Sequence, residues 1–229
     1  MSAHLANATL SAYERWAPIY PPLAHNPLMR AEQQAMLARW PEVAGKRALD
    51  LACGSGRYTA QLARSGARSV VATDFCVPML ERVAAIHRVC ANMMSLPFVN
   101  DAFEVVICAL ALGHATGAYP WMAEIARVLT PGGTLLYSDF HPDAARAGLT
   151  RSFKDGNNET CTVPHRYFDV DSQRDAAQRA GLQIESLHEV RVGAELREPF
   201  EDSEDFYQRW HGLPIVLVVR ARKGTPELP

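Results

Sequence analysis

Short continuous apolar runs alternate with stretches of helical spacing along most of this chain. Ala48, Leu49, Leu51 and Ala52 predict a buried parallel strand with Asp50 inside it, because a run without polar alternation suits a strand covered on both faces. Gly54-Ser55-Gly56 breaks the run, helical spacing resumes from Tyr58 to Ala63, and Ser65-Gly66 closes that helix. Ser69 to Thr73 is a second strand ending at Asp74, and a helix from Val77 to Arg88 follows with Pro78 in its first turn. Arg88 to Met93 reads as a third strand and Phe103 to Leu110 as a fourth. A helix from Pro120 to Leu129 then leads through the tight turn Pro131-Gly132-Gly133 into a fifth strand, Thr134 to Ser138. Strand and helix in alternation predict an α/β fold with a doubly wound parallel sheet.

The flanks depart from this rhythm. Residues 1–25 carry Tyr13, Trp16 and Tyr20 but are too rich in proline for one long helix. Asn26-Pro27 starts a helix from Leu28 to Trp40 that Pro41 ends, so residues 1–40 read as a helical cap over the sheet. Residues 139–168 are polar and turn-rich, with Gly156-Asn157-Asn158 at their centre, and an insert of that length at the carboxyl edge of a sheet reads as a substrate lid. Asp171 caps a further helix that ends at Gly181, Leu182 to Val192 alternates loosely, and Pro214 to Arg220 is strongly strand-forming. No repeat or linker divides the chain, so residues 1–229 form a single domain.

Composition narrows the function. The 229 residues are 48% hydrophobic, which supports one well-filled core. The net charge is −2 and no block of lysine and arginine occurs, so nucleic acid is not an expected partner. No basic start followed by an apolar core opens the chain and no apolar stretch is long enough to cross a bilayer. The five cysteines, Cys53, Cys76, Cys90, Cys108 and Cys161, lack CxxC spacing, so reduced thiols in a cytoplasmic protein are expected and no metal site is read. Nothing in the sequence speaks to oligomeric state.

Strand, glycine turn and helix bring a ligand against bare backbone and the positive end of a helix. A dinucleotide fingerprint, G-x-G-x-x-G, finds its first two glycines in Gly54 and Gly56 but meets Thr59 at the third position. Asp50, ahead of the glycines, would repel a pyrophosphate and suits a ligand carrying an ammonium and a sulfonium. Here the chain resembles the class I S-adenosylmethionine-dependent methyltransferases, of the type 11 kind that act on small molecules. Their first motif runs acid, apolar, Gly, Cys, Gly, Ser/Thr, Gly, and this copy reads Asp50-Leu51-Ala52-Cys53-Gly54-Ser55-Gly56. Ala52 stands where glycine is more usual, which is tolerable if the backbone angles there are ordinary. The stretch Glu124 to Phe140, EIARVLTPGGTLLYSDF, resembles the same family.

The resemblance implies S-adenosylmethionine as cofactor and a Rossmann-like, seven-stranded sheet with a C-terminal antiparallel strand pair. Asp74 lies twenty residues after Gly54, where a carboxylate accepts both ribose hydroxyls; the plainer reading is a cap for the next helix. Phe75 and Met79 would pack on adenine or simply join the core. By resemblance, Asn92 accepts from the adenine amino group and Met93 donates from its backbone, Asn92 replacing a more common aspartate. The end of the fourth strand, Ala109 to Ala115, lines the crevice and brings His114 near the methyl group. Tyr13 or Tyr20 closes over the site, or fills a gap in the core. Of the insert, His141, Arg151, Lys154, His165, Arg166 and Tyr167 are candidate substrate contacts; several cations facing inward would mean an anionic substrate. The expected activity is methyl transfer to a small molecule by in-line displacement, with His114 first as general base and His165 or His141 next. Three alternatives stay open: the same cofactor scaffold doing cyclase, lyase or decarboxylase chemistry, a non-catalytic cofactor-binding module, and a nicotinamide oxidoreductase.

Overall fold

The apolar runs pair into one sheet in the computed structural model, which describes residues 2–85 and 87–225. Five strands lie parallel: β1 (Arg47–Leu51), β2 (Ser69–Asp74), β3 (His87–Cys90), β4 (Phe103–Ala109) and β5 (Leu129–Phe140). A small hairpin, β6 (Ser152–Lys154) and β7 (Thr160–Thr162), stands apart. The sheet is completed by β8 (Leu182–Arg191) and β9 (Pro214–Lys223). β9 inserts antiparallel between β5 and β8, which gives seven strands in the order β3-β2-β1-β4-β5-β9-β8. The expected fold class, including the terminal antiparallel pair, is the one observed. The order reverses between β1 and β4, and the crevice outside their carboxyl ends is where such sheets bind ligands.

Both faces of the sheet are covered, which is why its central strands lack polar alternation. Along β4, Val106 and Cys108 join one core and Val105 and Ile107 the other, all fully buried. The first face carries α5 (Ala118–Val128) and α7 (Val170–Arg179), through Trp121, Met122, Ile125, Ala176 and Ala177. The second carries α2 (Pro27–Leu37), α3 (Arg57–Arg64) and α8 (Ser203–Trp210), through Met36, Leu62 and Trp210. Glu32 of α2 is fully buried yet satisfied: it accepts from Arg57 Nη2 at 2.8 Å, from the Tyr58 hydroxyl at 2.9 Å and from Ser138 Oγ at 2.7 Å. That network binds the N-terminal cap to α3 and β5, and a buried carboxylate is tolerable only when so completely partnered.

Several element boundaries differ from those expected. α1 (Ser2–Trp16) is one regular helix, because the prolines that argued against it begin only at Pro18. Asn26 caps α2 as predicted, its Oδ1 accepting the Met29 N–H at 2.9 Å. α4 (Val77–Leu80) is a single turn rather than a helix to Arg88, and β3 starts at His87 and stops at Cys90. β5 starts at Leu129, and residues 130–133, with Pro131-Gly132-Gly133, bulge out between its pairings with Phe103 and Val105. Asp169 takes the N-cap position of α7 without a side-chain hydrogen bond, so Asp171 lies in the first turn. The 139–168 insert is not irregular throughout: it holds α6 (Pro142–Arg146) and the β6–β7 hairpin, whose turn is held by Asp155 accepting from Asn157 and Glu159 backbone N–H groups. Among the described residues no helix is long and apolar enough to cross a membrane.

Candidate active site

The chain leaves β1 through a left-handed residue. Ala52 has φ 55°, so its angles are not the ordinary ones that would make its methyl group harmless. A side chain in this region costs about 1–2 kcal/mol relative to the right-handed one. We therefore expect Ala52→Gly to raise stability by about 1 kcal/mol in urea denaturation. An unchanged midpoint would show that the turn carries no such strain. Gly56, at φ 89°, caps α3 where no larger residue fits: a Cβ there would sit 2.9 Å from Val83 Cγ1.

Two carboxylates border the resulting cleft. Asp74, at the tip of β2, accepts the Gly54 N–H on Oδ2 and the Cys76 N–H on Oδ1, each at 2.8 Å. Both oxygens keep a second lone pair, and the contact with Gly54 ties the glycine turn to the neighbouring strand. Burial raises the Asp74 carboxyl above its ordinary range, against the pull of the backbone N–H groups of Cys76, Gly54 and Phe75. Asp50 is only 1% exposed and accepts from Thr59 Oγ1 at 2.6 Å. Thr59, at the third-glycine position of the dinucleotide pattern, thus serves the buried acid. Burial pushes Asp50 up to about 7, the Thr59 hydrogen bonds opposing and the Asp74 charge adding.

The cleft continues past Phe75, Met79, Asn92 and Met93 on one side and Ala109 to Ala111 on the other. Phe75 is 47% exposed and Met79 is buried beside it. Asn92 Oδ1 accepts the Met94 N–H at 2.9 Å, which leaves one of its lone pairs and the amide N–H groups for a ligand. The cation-accepting, hydroxyl-accepting and apolar surfaces fit S-adenosylmethionine: Asp50 for positive charge, Asp74 for a ribose, Phe75 and Met79 for a flat base.

α1 roofs the cleft, and the hairpin packs against α1. Ala6, Thr9, Leu10 and Tyr13 face it at the i, i+3, i+4, i+7 spacing of one helical face. Trp16 stacks on Phe153 at 4.5 Å between ring centroids, and Arg15 pairs with Asp155 and Glu159, so helix and hairpin are clasped together. Beneath them Arg151 Nη1 lies 2.6 Å from the Tyr13 hydroxyl and 2.7 Å from His114 Nε2, and the Tyr13 hydroxyl is 2.9 Å from the same nitrogen. Burial drives the His114 imidazole well below its usual range, with the Arg151 charge and His165 adding to it, so the ring is neutral at physiological pH. Burial raises the Tyr13 hydroxyl, which stays protonated.

Of the residues expected to touch cofactor, Asp50, Ala52, Gly54, Asp74, Phe75, Met79, Asn92, Met93 and Ala109 all line this one cleft, while Gly56 stands behind it capping α3. Of those expected to touch substrate, Tyr13, Tyr20 and His114 line it, and Arg151 joins them. His141, His165 and Tyr167 do not. His141 is buried as the cap of α6, accepting the Asp143 N–H at 3.1 Å. His165 packs beneath the cleft floor against Gly113, where a Cβ would meet its ring at 2.1 Å, and its Nε2 lies 3.1 Å from Asp139 without hydrogen-bond alignment. Tyr167 donates to the Leu149 carbonyl at 3.2 Å. Lys154 is exposed and Arg166 donates to the Thr116 carbonyl. Sequence reasoning missed the α1 face, whose helical spacing was the available signal, Cys53, whose place inside the glycine motif was one, and Cys76 and Met94, which had none.

Comparison with known proteins agrees with this geometry. Residues 49–137 match the family described as Methyltransferase domain, a segment running from within β1 into β5. A demethylmenaquinone methyltransferase of Clavibacter sepedonicus is 42% identical over 108 residues, 43% of this chain and 42% of that protein. Another from Mycobacterium sp. (strain KMS) is 35% identical over 130 residues, 56% of this chain and 55% of its own. The chain thus spans about half the length of the curated relatives it matches. The crystal structure of an S-adenosylmethionine-dependent methyltransferase from Mesorhizobium loti superposes with a TM-score of 0.68 at 24% identity, covering 84% of this chain and 98% of that one, which shows the shared fold. The switch-point cleft, the acid-led glycine turn and the segment similar to the Methyltransferase domain family coincide on one stretch of chain, within a fold shared with a solved S-adenosylmethionine-dependent methyltransferase.

Proposed function

We propose that the protein methylates a small molecule held beneath α1, beside Arg151. The observation that carries this reading is Asp74, a carboxylate fixed by the backbone of the glycine turn with free lone pairs on the cleft side. When bound, S-adenosylmethionine supplies a methyl group on a sulfonium already activated for displacement. Asp74 would accept its ribose hydroxyls, Phe75 and Met79 would hold the adenine, and Asn92 and Met93 would meet its edge. Asp50 lends negative potential to the end of the cleft nearest the glycine turn, beside the bare backbone of Ala52 and Gly54. Ala109 closes the wall towards β4.

The chain's further contribution is alignment and exclusion of water, since holding two reactants in line supplies much of the acceleration such a displacement needs. The roof formed by α1, which the hairpin braces, serves that purpose. His114 is neutral, and its Nε2, which accepts from Arg151 or Tyr13, would take a proton from an acceptor that displaces those donors. The names of the relatives put demethylated quinones first in an acceptor panel.

Calorimetric titration tests the reading. S-adenosylmethionine and S-adenosylhomocysteine are expected to bind at micromolar levels, about −8 kcal/mol, with no response to NADH. Incubation with methyl-labelled cofactor and the acceptor panel is then expected to release S-adenosylhomocysteine. Methylthioadenosine as the product would move the assignment to aminobutyryl chemistry. An NADH response without binding of either sulfur nucleoside would sink it.

A further inference from the structure

Arg151 is the one member of the insert's cation set that turns into the cleft. Its Nη1 touches only neutral groups there, the Tyr13 hydroxyl and His114 Nε2, and its guanidinium lies 5.0 Å from the centre of the Phe140 ring, which holds its plane. The other guanidinium on the cleft wall, Arg57, is neutralised by Glu32 at 2.8 Å. Arg151 forms no such pair among the described residues. A half-buried cation whose near neighbours are neutral gains most from a ligand that brings a counter-charge.

The position says which ligand brings that charge. His114 follows β4 and Phe140 ends β5, whereas Asp74 ends β2 and Asn92 follows β3, on the far side of β1. Arg151 therefore occupies the end of the cleft away from the ribose-side acid, where the acceptor would lie. Resting on the methyl-transfer reading, we infer that Arg151 is a specificity-determining residue that selects an acceptor bearing an ionised oxygen, a carboxylate, phenolate or enolate, over an amine. An ammonium would meet like charge there, while a planar guanidinium matches an oxyanion in charge and in hydrogen-bond geometry. An oxygen that arrives ionised also has no proton to lose, which suits a His114 whose Nε2 already accepts.

The test uses a matched pair of probes, 2-naphthoate and 2-naphthamide, titrated calorimetrically into protein saturated with S-adenosylhomocysteine. Wild type is expected to bind the carboxylate about tenfold or more tightly than the amide, the scale of one hydrogen bond to a charged group. Arg151→Gln is expected to erase that preference and Arg151→Lys to keep part of it. Affinity for S-adenosylhomocysteine is expected to stay within about threefold in both variants, since an untouched contact leaves the free energy within a few tenths of a kcal/mol. Equal affinity for the two probes in wild type, binding of neither, or a preference that survives in Arg151→Gln would overturn the inference. So would a tenfold or larger loss of S-adenosylhomocysteine affinity with 5′-methylthioadenosine unaffected, because the guanidinium would then belong to the cofactor's own carboxylate. If wild type fails to take up S-adenosylhomocysteine at all, the cofactor reading itself has failed, and that is seen before any naphthoate is added.

Discussion

Asp74→Ala is expected to weaken binding of S-adenosylmethionine and S-adenosylhomocysteine by about 100-fold or more in calorimetry. Each hydrogen bond to a charged group contributes about 1.5–3 kcal/mol, so losing two ribose contacts removes roughly 3 kcal/mol or more, two decades of affinity. The substitution also frees the Gly54 and Cys76 N–H groups, which now share the Asp74 carboxylate at 2.8 Å each, so the turn loses its tie to β2. Asp74→Asn separates the two effects. The amide keeps the size of the side chain but offers a single acceptor oxygen, and its NH2 would face one of the two backbone donors. Affinity should therefore fall in the Asp74→Asn variant as well, while an unchanged far-UV circular dichroism spectrum shows the sheet intact. Binding within about threefold of wild type in the alanine variant would remove Asp74 from the cofactor site, since a residual change that small leaves no room for two charged hydrogen bonds.

The parts of this site that were legible in the sequence are those whose geometry is local. Asp50, Gly54, Gly56 and Asp74 occupy positions set by one strand–turn–helix unit and the strand after it, so spacing alone placed them. Thr59 shows the limit of that approach. In the sequence it is a missing glycine, and only the 2.6 Å contact with Asp50 shows it to be a partner of the acid. Ala52 is similar, since no local pattern shows that its φ is 55°. The roof was the least legible part. Pro18, Pro21 and Pro22 lie close enough to Tyr13 to discourage a helix, yet all lie beyond the end of α1, so a face formed by Ala6, Thr9, Leu10 and Tyr13 went unread. The insert's three candidate rings and three cations were equivalent on paper. Tertiary contacts over long separations decide among them: Arg151 reaches Tyr13 across 138 residues, while His165 is held beneath the floor by Gly113 and Asp139.

Affinity for S-adenosylmethionine is expected to rise with pH up to about 7 and to level off above it, by about tenfold or more between pH 5.5 and 7.5. The cause is Asp50, whose carboxyl is pushed up to about 7 mainly by burial. A sulfonium and an ammonium brought close to that carboxyl favour its charged form, so its pKa falls in the complex. Below pH 7 the free protein then holds more protons than the complex, binding expels one, and affinity must increase as pH rises. Thr59, Arg57 and Asp74 are the groups with most influence on Asp50; Asp74 is also raised by burial and contributes to the same slope. Asp50→Asn isolates the larger share: the remaining slope in that variant belongs to Asp74. S-adenosylhomocysteine lacks the sulfonium and should show the weaker pH dependence of the two ligands. The same raised pKa has a consequence for folding. The unfolded carboxyl ionises near 3.8 while the folded one holds its proton towards 7, so the unliganded protein loses stability from this group as pH climbs between those values. Asp50→Asn should therefore be more stable than wild type at pH 7 without ligand and bind the cofactor more weakly. Calorimetry in two buffers of different ionisation enthalpy counts the released proton directly; a count of zero at pH 6, with the same affinity at pH 5.5 and 7.5, would leave Asp50 as a structural acid and place the recognition of the cofactor's charge elsewhere in the cleft.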